Sequence, residues 1–146
     1  MLAGGISTPV AWMLTHLLRL IGLNATQPLS GVAAAAEIAA LDSSDVAVGI
    51  SFWRYVKATV QEFGQAKAAG ATTIAITDSK SSPLAQVADL ALIAATSSAE
   101  LTLSLVAPMS IVNALITAIA LERPEQTLER LAQVDHVYKA ADITIE

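Results

Sequence analysis

Apolar positions in this chain recur with two periods, and the switches between them fall at turns rich in hydroxyl residues. DVAVGISFWRY (45–55) and TTIAITDSKSSPLA (72–85) share one layout: a β-type apolar run, a Ser/Thr turn, then a helix opening. LAGGISTPVA (2–11) repeats it with the apolar run cut short. Such runs alternating with helices predict a parallel α/β sheet. In these sheets the turns leaving the strands' carboxyl ends converge on one crevice, where ligands bind.

The pattern predicts the following elements. An apolar stub, 1–3, runs into Gly4-Gly5, and Thr8-Pro9 opens a helix, since proline is tolerated at a first helical position and a neighbouring hydroxyl can cap. Val10, Met13, Leu14, Leu17, Leu18 and Ile21 keep helical spacing and form its core stripe, and Gly22 ends it. A short strand is expected over 25–29, placed at a sheet edge by Pro28. An Ala-rich helix follows over 31–40, then a strand over 45–51. The next helix runs to about Ala69 with Val56, Val60 and Phe63 inward, and Gly70 stops it. Strands over 72–77 and 89–94 flank a second hydroxyl-proline helix start, Ser82-Pro83. Helices over 100–121 and 124–139 complete the chain, and the tail Ile143-Thr144-Ile145 either docks as a strand or stays loose. The periodicity shows no repeat and no second domain. A strand of three residues is short for the middle of a sheet. The chain therefore reads as the C-terminal part of something longer.

Composition narrows the classes. A length of 146 residues suits one domain with a real core. Hydrophobic residues make up 54% and aromatics only 4%, so Ala, Val, Leu and Ile carry the apolar mass, as in strands covered on both faces. There is no Cys, hence no disulfide framework and no thiolate chemistry, which suits a reducing cytosol. A net charge of -5 argues against nucleic-acid binding by this segment. Residues 101–121 carry no charge and could span a bilayer by length. However, Thr102, Ser104, Pro108, Ser110, Asn113 and Thr117 interrupt the run and no aromatic or basic belt flanks it, so a buried helix is the better reading. No secretory signal is visible at the N-terminus. High apolar content also predicts self-association.

The turns carry the candidate chemistry. Helix starts at Thr8-Pro9 and Ser82-Pro83 would place backbone N–H groups at the crevice, a setting for phosphate or carboxylate. Ser7, Thr8, Ser51, Thr77, Ser79, Ser81 and Ser82 add hydroxyls. Capping and turn formation are the ordinary uses of such residues, but three turns on one edge favour a small oxygen-rich anion. Neither nucleotide motif fits: GGIST is not GxGxxG, and no Walker lysine follows. No cofactor is implied, and two separated His without Cys make no metal cluster.

From Leu2 to about Tyr138 the chain resembles the SIS (sugar isomerase) domain, and within it the C-terminal effector domain of RpiR-type transcriptional regulators. The most specific part is ITDS..SPLA preceded by a helix ending in AKAAGA. The resemblance implies a three-layer, doubly wound αβα sandwich with a five-stranded parallel sheet, a phosphorylated sugar as ligand, and pairing into a homodimer or higher homo-oligomer. It also implies a helix-turn-helix domain ahead of this segment, which would carry any DNA binding. Ser7 and Thr8 fall in its first ligand turn, Ser51 in the turn after the third strand, Thr77 and Ser82 in the turn after the fourth. Where many SIS domains have a Ser-Gly-x-Thr cradle, this chain has Phe52-Trp53-Arg54-Tyr55. Arg54 could grip phosphate in place of the missing cradle. Trp53 and Tyr55 could stack on a sugar, although packing in the core or at a subunit interface is the commoner role.

Aldose–ketose isomerisation would need a base. His16 and His136 read as structural. Glu100, opening a helix near the crevice, is the weak catalytic candidate, although acidic residues favour helix starts anyway. Three functions stay open: a non-catalytic sugar-phosphate sensor in a cytoplasmic regulator, a phosphosugar isomerase, and a dimerisation module with a vestigial crevice.

Overall fold

The computed structural model describes residues 1–98 and 102–143. Four parallel strands run in the order β1 (Leu2–Ala3), β2 (Val46–Ile50), β3 (Thr72–Thr77) and β4 (Leu90–Ile93). Leu2 pairs with Gly49, Val46 with Thr72, and Ile74 with Leu90. Helices α1 (Thr8–Leu20), α2 (Val32–Ala39), α3 (Lys57–Ala68), α4 (Pro83–Val87), α5 (Val106–Glu122) and α6 (Pro124–Ala140) surround the sheet.

Strand alternation decides which helix goes where. Val48, Ile50 and Ile76 project to one face, where they pack with Val10, Leu14 and Leu18 of α1 and Val112 of α5. Ala47 and Ala75 project to the other, against Ala34 and Ile38 of α2, Phe63 and Ala66 of α3, and Leu84 of α4. Bulky side chains thus line the first face and small ones the second, where the ring of Phe63 lies close to the backbone. A Cβ added at Gly49 would sit 2.6 Å from that ring, so only glycine fits there. The result is three layers with two cores.

Two expectations are corrected. Among the described residues the sheet has four strands, not five, and their order does not reverse, so the doubly wound character lies in helices on both faces. The segment 25–29 forms no strand. Pro28 lacks a donor for a ladder, and β1 offers only two residues as an edge. Instead Thr26 Oγ1 donates to Glu37 Oε2 at 2.9 Å, and of the five residues Ala25 alone is buried.

The helix expected over 100–121 starts at Val106, which puts Pro108 in the first turn, where its missing N–H costs nothing. Ser104 marks the entry, its Oγ accepting from Val106 N at 3.4 Å. Among the described residues no single helix is long and apolar enough to cross a membrane, and α5 and α6 are bent by 110° at their junction. Ile143 is outside any strand, and Thr144 and Ile145 lie outside the described residues.

Candidate functional site

The connection leaving β1 turns to α1 on one face of the sheet, whereas the one leaving β2 turns to α3 on the other. Loops diverging in this way open a crevice at the strands' carboxyl ends. A cavity of about 590 Å³ lies there, walled by Gly4–Ser7, by Ser51–Arg54 with Val56, and by Ser97, Ser98, Thr102 and Leu103 after β4.

Gly4 abuts α3: a Cβ on it would lie 3.0 Å from Val56 Cγ1. Gly5 then takes φ +58, which a β-carbon would strain, and a single 3-10 turn, Gly5–Ser7, leads into α1. Ser7 N donates to Gly4 O at 3.3 Å and the Thr8 amide donates to Gly5 O. These two amides are therefore spent within the chain. No side chain caps α1, contrary to the expected hydroxyl cap.

The second turn is built differently. Ser51 continues the ladder, its N–H donating to Ile76 O at 3.2 Å, while its Oγ accepts from Val56 N at 3.3 Å and closes the loop ahead of α3. Phe52 is buried in the α1-side core and Trp53 points outward, edge-on to Tyr55 with ring centroids 6.4 Å apart. Among the described residues Arg54 is one of two non-glycine residues with positive φ, at 65°. The Asp78 carboxylate holds both flanks of that residue. Oδ2 accepts from Trp53 N at 3.0 Å and Oδ1 from the Tyr55 hydroxyl at 2.9 Å. Burial first, then the Asp78 hydrogen bond and charge, raise the Tyr55 phenol above its ordinary value, so it remains a donor at neutral pH.

The third turn is spent on itself. Thr77 is fully buried and donates to Asp78 Oδ1 at 3.3 Å. Ser79 and Ser81 hydroxyls pair at 2.8 Å, and Ser82 Oγ caps α4 by accepting from Ala85 N at 3.1 Å.

Of the expected site residues, Ser7, Ser51 and Arg54 line the cavity, whereas Thr8, Thr77, Ser79 and Ser82 are outside its lining. Glu100 lies outside the described residues. His16 stacks on Trp12 at 5.3 Å and, with His136, lines a separate groove of about 1170 Å³ between α1 and α6. Sequence reasoning missed Ser97, Ser98 and Thr102, although the rule that every strand exit contributes to the crevice would have found them. It also missed Asp78, whose signal was its place directly after a strand. Among the described residues, Arg54 is the one charged group in the lining, beside hydroxyls of Ser7, Ser51, Ser97, Ser98 and Thr102. Such a set suits an oxyanion joined to a polyhydroxylated body.

The family profile of the SIS domain matches residues 1–118. The chain belongs to the SIS domain family. Among solved structures it is similar to the sugar isomerase domain of the RpiR transcription factor from Sphaerobacter thermophilus. The two are 38% identical, the match covers 90% of this chain and 74% of that one, and the TM-score is 0.86. The fold is also that of the Vibrio vulnificus NanR protein, solved in complex with ManNAc-6P: 21% identity, 95% of this chain, 54% of that chain and a TM-score of 0.83. No curated protein sequence matches the chain.

Proposed function

We propose that this SIS domain is a non-catalytic sensor that binds a phosphorylated sugar in the crevice and passes the signal to a DNA-binding domain of a cytoplasmic RpiR-type regulator. The carrying observation is Arg54, the one cation among hydroxyls in the crevice lining of the described residues. A guanidinium can take two phosphate oxygens at once, and the surrounding hydroxyls suit the sugar. Ser7 and Ser51 share the lining with Arg54 and would add hydroxyl contacts, whereas Thr8, Thr77, Ser79 and Ser82 would act only through the turns they build. NanR, of the same fold, was solved with a sugar phosphate.

The domain works as a homodimer on this reading. Leu128 and Val137 of α6 stand 68% and 57% exposed, a cost that a second copy would relieve.

Thermal shift against matched pairs of sugars and sugar 6-phosphates tests the sensor reading. Stabilisation by a phosphorylated member alone, without ketose–aldose turnover, is expected. Equal effects of sugar and sugar phosphate, or turnover, would overturn it.

A further inference from the structure

Arg54 occupies the left-handed region, which a side-chain-bearing residue adopts only when its surroundings hold it there. Besides the Val56 N to Ser51 Oγ bond that closes the loop, the bonds on the two residues flanking Arg54 converge on one group. Trp53 N and the Tyr55 hydroxyl, one on each side of Arg54, both donate to the carboxylate of Asp78, at 3.0 and 2.9 Å. Asp78 belongs to the turn after β3, whereas Arg54 belongs to the turn after β2. The carboxylate lies outside the cavity lining, behind Trp53 N, to which it is hydrogen-bonded. It also leaves the cation unspent, because among the described residues Arg54 forms no ion pair.

We infer that Asp78 is the positioning residue of the crevice: by bracketing Arg54 through Trp53 and Tyr55, it sets the turn that presents the guanidinium to a phosphate. The inference rests on the sensor reading for its ligand, but the hold on the turn is separately measurable. It predicts that a residue without ligand contact controls anion affinity. Tyr55 then serves as a strut for Arg54, while Trp53 is left at the rim.

The test uses the Trp12→Phe background, in which Trp53 is the sole tryptophan. Inorganic phosphate and ManNAc-6P are titrated, and Trp53 anisotropy is read without ligand. Asp78→Ala is expected to lower affinity at least about tenfold, the scale of one charge-assisted hydrogen bond, and to lower the anisotropy. Tyr55→Phe and Asp78→Asn should fall between, and they carry the test if Asp78→Ala does not fold. Adding Asp78→Ala to Arg54→Ala should cost no further affinity, because the first change acts through the second residue. Folded variants with unchanged affinity and anisotropy would overturn the inference. If the parent binds neither probe, the sensor reading fails. The hold on the turn then stands or falls on whether Asp78→Ala and Tyr55→Phe loosen Trp53.

Discussion

A Cβ on Gly49 would meet Cδ2 of Phe63 at 2.6 Å, so the backbone of β2 and a ring of α3 occupy adjoining space with no room between them. Phe63 is fully buried, and its neighbours on this face are mostly alanines. Gly49→Ala should destabilise the domain by about 2 kcal/mol, the usual cost of overpacking a filled core. Adding Phe63→Leu should recover part of that loss, whereas Phe63→Leu alone should destabilise. Urea midpoints of the four proteins give the comparison, and additive losses would show that the contact is not the cause.

At the opposite end of the sheet, Asp89 ties β4 to β3 and α3. Its carboxylate accepts from Thr73 N, Thr73 Oγ1 and Lys67 Nζ at 2.8, 2.7 and 2.8 Å. The Lys67 hydrogen bond foremost, then those from Thr73, hold its pKa far below the ordinary carboxylate range. An Asp in the unfolded chain titrates near ~3.9, so the folded form gains stability that is complete above about pH 5. The gain is lost as pH falls through the depressed folded value. The difference in urea midpoint between wild type and Asp89→Asn should therefore be flat from about pH 7 to 5 and narrow below about pH 4. Both partners are partly exposed, so added salt should reduce the ionic share.

Ser82 places its hydroxyl on Ala85 N and starts α4. Ser82→Ala should cost about 1 kcal/mol, and Ser82→Asp should restore most of it. Calorimetric melting of both variants checks this, and an unchanged Tm for Ser82→Ala would remove the cap from the account.

Self-association through α6 predicts that Leu128→Glu with Val137→Glu yields a folded monomer. Light scattering should fall to half the wild-type mass. A monomeric wild type would exclude the dimer outright.

The inner strands were legible as continuous apolar runs covered on both faces, and the first helix as an apolar stripe at helical spacing. Thr72–Thr77 was read with its observed ends, and Val10, Leu14 and Leu18 keep the helical stripe that packs under the sheet. What failed depended on partners distant in sequence. A strand at 25–29 had suitable residues but no edge long enough to receive it. The hydroxyls of the third turn looked free in one dimension, yet they spend themselves on one another and on the α4 cap. Asp78 showed the opposite error: it looked like an ordinary turn residue, and only the fold brings it to Trp53 and Tyr55, more than twenty residues earlier in the chain.

Amide chemical shifts during a titration with inorganic phosphate test the central claim most directly, because they report where the anion sits. Perturbations concentrated at Ser7 and over Ser51–Val56, absent in Arg54→Ala, are predicted. Perturbations confined to the groove between α1 and α6, or unchanged by Arg54→Ala, would contradict it.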